Sequence, residues 1–265
     1  MKNETARLMT IVRERRPLVH QITNNVTVND CANITLCAGG TPVMSEAPDD
    51  VKEMVKHASA LVLNIGTLIN ETINAMIIAG KAANERGIPV ILDPVGAGAT
   101  QYRMDTVWRI LNEVKVSVIK GNAGEIGALA GAGGKVRGVD SCGLDGDPAD
   151  ACIKLSKRTG AVIVMTGAVD IITDGERVAV VNNGHEMMSS ISGTGCMAGA
   201  VIGCYAGCSD DMVTAAASAL AVFCIAGNKA AKRSKGPGTF IMNLKDELAN
   251  LTPNEVIPLA NIRLL

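Results

Sequence analysis

Short apolar runs alternate with amphipathic segments along the whole chain. The apolar runs predict buried strands, which lie at residues 60–65, 90–92, 116–119 and 161–165. Helical patterns predict helices at residues 5–15, 26–38, 71–86, 104–114, 149–157 and 210–232, with shorter ones beginning near 48, 124 and 193. Strands separated by helices are typical of a mainly parallel sheet with helices on both faces. The predicted fold class is therefore α/β, in one domain over residues 1–265.

Turn and cap residues mark the ends of these elements. Asn70 is expected to cap the helix at 71–86, and Gly87 is expected to end it. The pair Asp174-Gly175 predicts a hairpin, with strands at residues 170–173 and 177–181. The stretch 131–147 is rich in Gly, Asp and Ser, which predicts an excursion on the surface.

Composition and charge narrow the range of functions. The net charge is −1 and the sequence pI is about 6.3, so the chain has no positive field that would collect nucleic acid or an anionic membrane. The eight cysteines include no C-x-x-C pair and only three histidines are present, a pattern that predicts neither a zinc site nor a disulfide framework. The apolar run at 215–227 is too short to span a bilayer, and it predicts a buried helix. We expect a cytoplasmic protein.

A glycine-rich turn opens the helix that begins near residue 193. Gly193 and Gly195 allow a tight turn whose amides can converge on one anion at the positive end of the helix. Cys196 would lie in the first helical turn, where the dipole and the amides favour its thiolate. The alternative interpretation is close packing of small residues, with Cys196 inert. The same residues also match the G-x-G-x-x-A motif of dinucleotide-binding proteins. That kind of site requires a following strand that ends in an acidic residue, whereas a long helix follows here.

Polar residues follow three consecutive predicted strands. Asp93 could engage Mg²⁺ through water, or it could cap a turn. Asn122 and Glu125 could face one cleft, although an acid at a helix start also stabilises the helix. Thr166 could donate to a phosphate or within a turn. The three strand ends offer Asp93, then Lys120 with Asn122 and Glu125, then Thr166, and the glycine turn follows them. Together these groups provide a metal site, positive charge and amides. Phosphoryl transfer needs all three.

Several segments resemble a known family of kinases. The turn Gly193-Thr194-Gly195 resembles the anion-hole signature of ribokinase-like kinases, and Asn122-Ala123-Gly124-Glu125 resembles their N-x-x-E pattern for Mg²⁺ and phosphate. Three further segments resemble hydroxyethylthiazole kinases in particular: Val19-His20-Gln21-Ile22-Thr23-Asn24-Asn25-Val26-Thr27, Gly40-Thr41-Pro42-Val43-Met44 and Leu92-Asp93-Pro94-Val95-Gly96. The similarity covers nearly the whole chain.

The resemblance implies a ribokinase-like fold and a reaction. MgATP would phosphorylate the primary alcohol of 4-methyl-5-(2-hydroxyethyl)thiazole. The thiazole site would be lined by Met44, Gly193 and Asn25. The residues that contact ATP would be Lys120, Thr166, Asn122 and Gly195. Asp93 and Glu125 would organise Mg²⁺. The family also implies a homotrimer with its sites between protomers.

Two positions depart from common patterns of this resemblance. Cys196, the candidate catalytic residue, stands where the superfamily usually has Asp, although thiazole kinases commonly carry Cys. A loose transition state does not require strong deprotonation of the alcohol, so we expect Cys196 to assist modestly. Lys120 stands where the family often has Arg, and a lysine lacks the bidentate fork of a guanidinium.

Three other functions remain open from the sequence. The first is a hydroxymethylpyrimidine kinase or another small-alcohol kinase of the same fold. The second is an oxidoreductase that binds a dinucleotide at the glycine turn. The third is a silent regulator that binds thiazole without catalysis, against which stands the presence of Asp93, Asn122, Glu125 and the glycine turn together.

Overall fold

The computed structural model describes residues 1–131 and 147–265, together with the backbone of two short strands between them. The strands are β1 (Leu18–Ile22), β2 (Thr41–Val43), β3 (Ala60–Asn64), β4 (Val90–Asp93), β5 (Val118–Asn122), β6 (Val136–Arg137), β7 (Asp140–Ser141), β8 (Val162–Thr166), β9 (Asp170–Thr173), β10 (Val178–Val181) and β11 (Ile262–Leu264). The helices are α1 (Lys2–Arg15), α2 (Val28–Ala38), α3 (Pro48–Val55), α4 (Asn70–Arg86), α5 (Gln101–Glu113), α6 (Ala123–Ala130), α7 (Pro148–Thr159), α8 (Thr194–Ala206), α9 (Met212–Arg233), α10 (Pro237–Asn250) and α11 (Pro253–Leu259), with a 3-10 turn at Glu186–Ser190.

One sheet organises the described part of the chain. Its strands follow the order β11-β10-β9-β8-β5-β4-β3-β1-β2. The pairs from β8 across to β2 are parallel, whereas β9, β10 and β11 continue the sheet in antiparallel pairs. The sheet is therefore mainly parallel, as predicted, and the antiparallel β9–β10 pair is the predicted hairpin.

Helices cover both faces of the sheet because the central strands are apolar on both sides. On β3, Val62 packs into one apolar cluster, which contains α1, α2, α8 and α9. Its neighbours Leu61 and Leu63 point the other way, into a second cluster that contains α4, α5, α6 and α7. This alternation is the two-residue period of a strand. The prediction of a doubly covered sheet is confirmed.

Helix α9 lies in the first of these clusters. By length and composition it could cross a membrane, so the sequence-based estimate that its apolar run is too short was wrong. Of its most apolar 18-residue window, however, 78% is buried inside the fold. The predicted buried helix is therefore confirmed.

Several element boundaries differ from the sequence-based expectation. Asn70 does not cap α4, because the helix includes it and the N-cap position is Ile69, without a side-chain cap. Helix α5 begins at Gln101, three residues early, because Oγ1 of Thr100 accepts from the backbone N–H of Arg103. The short elements β2, β11 and α11 and the 14-residue helix α10 were not predicted. The predicted surface excursion at 131–147 falls almost entirely outside the described residues.

Candidate active site

The predicted polar residues lie together at the carboxyl ends of the parallel strands β4, β5 and β8, next to the end of β3. Asp93 ends β4 and pairs in register with Asn64 at the end of β3. Asn122 ends β5 and pairs with Thr166 at the end of β8. The strands β3, β4, β5 and β8 are consecutive in the sheet, so these side chains share one edge. Ligands of α/β sheets bind beyond this edge.

Asp93 and Lys120 form a buried ion pair at this edge. Nζ of Lys120 lies 3.1 Å from Oδ2 of Asp93, and the residues are 3% and 1% exposed. Burial raises the pKa of Asp93 to about 6. The ammonium of Lys120 opposes this increase, whereas the nearby carboxylate of Glu125 adds to it. Burial alone would lower the pKa of Lys120, but Asp93 and Glu125 outweigh it, so that pKa is raised.

The second carboxylate oxygen of Asp93 has no hydrogen-bond partner. Oδ2 accepts from Lys120 and from Nδ2 of Asn64 at 2.9 Å, whereas Oδ1 is buried and unpaired. A buried oxygen with free lone pairs is costly unless a ligand satisfies it. The described residues contain no group of three or more His, Cys, Asp or Glu that could hold a metal ion by themselves. One or two carboxylates suit Mg²⁺, which keeps most of its waters and phosphate ligands.

Glu125 and Asn122 form a reciprocal capping box at the start of α6. Oδ1 of Asn122 accepts from the backbone N–H of Glu125 at 2.9 Å, and Oε2 of Glu125 accepts from that of Asn122 at 2.8 Å. Oε1 of Glu125 accepts from the backbone N–H of Gly96 at 2.8 Å, which ties the loop after β4 to this helix. The helix-stabilising interpretation is therefore confirmed, and a role of Glu125 toward Mg²⁺ stays a prediction.

The glycine turn faces the ion pair. Gly193 adopts a left-handed conformation with φ of 93°, and α8 begins at the next residue. A Cβ placed at Gly195 would lie 3.3 Å from Nζ of Lys120, and one at Gly199 would lie 3.6 Å from Oδ2 of Asp93. Gly195 is itself exposed. The structure therefore places the glycine turn beside the acidic strand end, and the binding of an anion by this turn stays a prediction.

Cys196 lies in the first turn of α8 and is half-buried. Burial raises the pKa of its thiol, and Asp93 reinforces the effect, while Lys120 opposes it. The expectation that the helix dipole and amides favour the thiolate was therefore wrong in direction. Loss of solvent and a neighbouring carboxylate outweigh the helix end.

The candidate substrate residues Asn25 and Met44 lie in the segments after β1 and β2. Asn25 is exposed, and its backbone N–H donates to Oγ1 of Thr67 at 3.1 Å. Met44 is half-buried and packs against the same apolar cluster as Cys196. Thr166 is half-buried at the end of β8, where its Oγ1 donates to the Gly121 carbonyl at 3.4 Å. That contact crosses to the neighbouring strand β5 and does not lie within a turn, so a role of Thr166 toward a phosphate stays a prediction.

Two buried asparagines were missed by the sequence interpretation. Nδ2 of Asn24 and Nδ2 of Asn64 lie 3.3 Å and 3.2 Å from Sγ of Cys196. The available signal was a polar residue inside the apolar run at 60–65, since Asn64 ends a strand whose residues are all buried. Asn24 carried no comparable signal, because it sits in a polar segment.

Comparisons with known proteins give consistent results. A family model described as the hydroxyethylthiazole kinase family matches residues 9–254. A hydroxyethylthiazole kinase from Methanocella arvoryzae is 58% identical over 249 residues, which are 94% of each chain. One from Methanosphaerula palustris is 55% identical over 265 residues and 100% of each chain.

The solved structures agree in fold. The structure of a hydroxyethylthiazole kinase protein from Pyrococcus horikoshii superposes with a TM-score of 0.90 at 38% identity, over 98% of each chain. A ribokinase-like superfamily protein from Enterococcus faecalis is similar in fold, with a TM-score of 0.64 at 13% identity over 92% of this chain and 95% of that one. The fold is therefore ribokinase-like, and the chain belongs to the hydroxyethylthiazole kinase family.

Proposed function

We propose that this protein phosphorylates the primary alcohol of 4-methyl-5-(2-hydroxyethyl)thiazole with ATP. The product would be the thiazole phosphate used in thiamine phosphate synthesis or salvage. The single observation that carries the proposal is the position of the α8 turn over the buried Asp93–Lys120 pair. Exposed amides, an ammonium and a carboxylate with a free oxygen there match the requirements of phosphoryl transfer. Membership in the kinase family supports the choice of acceptor.

The nucleotide would bind along the strand ends. The amide of Gly195 and the ammonium of Lys120 would stabilise negative charge on the transferring phosphoryl group. Thr166 and Asn122, paired across β8 and β5, would contact the remaining phosphates. In the reaction, the alcohol oxygen forms a bond to the γ-phosphorus, the bond from that phosphorus to the bridging oxygen breaks, and ADP leaves.

Asp93 would be the main group that organises Mg²⁺. Its Oδ1 is free, while Lys120 and Asn64 hold Oδ2 and so fix the direction of the carboxylate. Glu125 would act through water, because both of its oxygens already accept backbone N–H groups. When bound, Mg²⁺ neutralises phosphate charge.

The thiazole would occupy the space between the glycine turn and the loops after β1 and β2. Asn25, Met44 and Gly193 are the residues proposed to line it. Val26, beside Asn25, is 69% exposed. A single exposed apolar residue is ordinary on a protein surface, so the proposed homotrimer with its sites between protomers rests on the family resemblance alone. We place this single kinase domain in the cytoplasm.

Cys196 is proposed to give modest help to proton removal. Cys196→Ala is expected to lower kcat by up to about 10²-fold, the lower end of general-base effects, and to leave measurable turnover. Cys196→Asp is expected to stay active, because a carboxylate can accept from both asparagine amides. Steady-state kinetics check both. Complete loss in both variants, with unchanged ATP binding, contradicts this role.

The proposed reaction is tested with purified protein by release of ADP. Hydroxyethylthiazole is expected to stimulate release from MgATP, whereas hydroxymethylpyrimidine is expected to do so far less. Stimulation by hydroxymethylpyrimidine instead would assign the alternative small-alcohol kinase. Binding of a dinucleotide without ATP binding would favour the oxidoreductase.

A further inference from the structure

Two side-chain amides converge on the sulfur of Cys196 from inside the protein. Asn24 is 4% exposed and Asn64 is 2% exposed, and they come from the segment after β1 and from the end of β3. Their Nδ2 atoms lie 3.3 Å and 3.2 Å from Sγ. Polar amides are costly to bury unless every group is hydrogen bonded, so the pair is a specified feature of the site.

The orientation of both amides is fixed by backbone donors. Oδ1 of Asn24 accepts from the backbone N–H groups of Val26 and Thr27, each at 3.1 Å. Oδ1 of Asn64 accepts from the backbone N–H of Gly66 at 2.9 Å. A backbone N–H can only donate, so the oxygens must face these groups. The amide nitrogens must therefore face Cys196, and the usual ambiguity of asparagine orientation does not arise.

The hydrogen atoms of the pair are fully used. One N–H of Asn24 donates to Oδ1 of Asn64 at 2.9 Å and the other donates to Sγ of Cys196. One N–H of Asn64 donates to Sγ, and the other donates to Oδ2 of Asp93 at 2.9 Å. Sγ thus accepts from two donors on its inner side, and any S–H bond must point away from them. Cys196 itself is half-exposed.

We infer that Asn24 is a positioning residue that acts through Cys196. It holds Sγ so that the free side of the sulfur meets the acceptor alcohol, and Asn64 joins this sulfur to the Asp93 carboxylate. The inference rests on the proposed phosphoryl transfer. It adds that the correct placement of Cys196 depends on residues from two other elements of the fold.

A purely structural role of Asn24 is the competing explanation. Its Oδ1 also accepts from Oγ1 of Thr27 at 3.1 Å, and Thr27 packs directly under Gly193. If Asn24 only supported this turn, its loss would disturb the thiazole site whether or not a sulfur were present. The two explanations therefore differ in their dependence on Cys196.

A double-mutant cycle separates them, since interacting residues give non-additive effects. We expect Asn24→Ala to lower kcat by about tenfold in the wild-type background, because Sγ is misplaced. In the Cys196→Ala background the same change is expected to lower kcat by less than about twofold. The KM values for ATP and hydroxyethylthiazole should change little in either background. Equal losses in both backgrounds, or a rise in the KM for hydroxyethylthiazole with kcat unchanged, overturn the inference.

Two controls accompany the cycle. Asn84→Ala is the first control, because the Asn84 amide accepts from the backbone N–H of Lys115 at 2.7 Å and donates to its carbonyl at 2.8 Å, away from this site. This variant should leave kcat unchanged. The wild-type protein tests the proposed function in the same assay. If it releases no ADP with hydroxyethylthiazole, the proposed function and this inference both fail; if it does and the losses are additive, only the inference fails.

Discussion

Asp93→Asn is expected to lower kcat by about 10²–10³-fold, because a metal ion supplies several kcal/mol to the transition state. The substitution keeps the shape of the side chain. An asparagine oxygen can still accept from Lys120 and Asn64, as Oδ2 does now, while its NH₂ group replaces the unpaired Oδ1. The change therefore removes the charge and the free lone pairs proposed to hold Mg²⁺.

Steady-state kinetics at several Mg²⁺ concentrations measure this effect. The variant should need a higher Mg²⁺ concentration for half-maximal turnover, and circular dichroism should show an unchanged fold. The matched control is Asp105→Asn, which neutralises an exposed carboxylate on α5 whose Oδ1 accepts from Gln101 at 2.7 Å. A kcat within about twofold of wild type would refute the assignment of Asp93, because it is far below the expected metal contribution.

Gly193→Ala is expected to lower kcat/KM by about 10²-fold, since small displacements of the proposed phosphate-binding turn would be costly. Gly193 has φ of 93°, which costs a residue with Cβ roughly 1–2 kcal/mol. The new Cβ would also lie 2.4 Å from Cγ2 of Thr27, so the turn or Thr27 must move. Kinetics and urea unfolding of the variant measure the two consequences.

A second substitution separates the clash from the backbone strain. Thr27→Ser removes Cγ2 and keeps the hydroxyl that donates to Oδ1 of Asn24 at 3.1 Å. In the Gly193→Ala background it should restore part of the lost activity, because the clash with Cγ2 is removed while the backbone strain and a tight 3.1 Å contact with Cβ of residue 27 remain. Gly238→Ala, at a position with no atom within 4 Å of the added Cβ, should leave activity unchanged. Wild-type kinetics in Gly193→Ala would contradict the proposed role of the turn.

The sheet and its functional edge were predictable from local patterns. The continuous apolar runs before Asp93, Asn122 and Thr166 required strands buried on both faces, and parallel strands bring their carboxyl ends to one edge. The tight turn at Gly193 was equally visible, because glycine allows backbone conformations that other residues rarely adopt. These features depend on short stretches of sequence and on general rules of α/β folds.

The protonation of Cys196 and the partners of its sulfur were not predictable in this way. The thiol pKa depends on burial and on Asp93, which is distant along the chain. Asn24 and Asn64 reach Sγ from separations of 172 and 132 residues, so no local pattern joins them. The predicted cap of α4 was wrong for a simpler reason, since the helix begins at Asn70 itself and its N-cap position is Ile69, which provides no side-chain cap.

Phosphorus NMR of the reaction mixture tests the central claim most directly. Wild-type protein with MgATP and hydroxyethylthiazole should convert the γ-phosphate signal into a phosphomonoester coupled to the methylene protons of the thiazole side chain, together with ADP. Appearance of ADP with inorganic phosphate alone, or an unchanged ATP spectrum, would contradict the assignment of this strand edge as a thiazole alcohol kinase site.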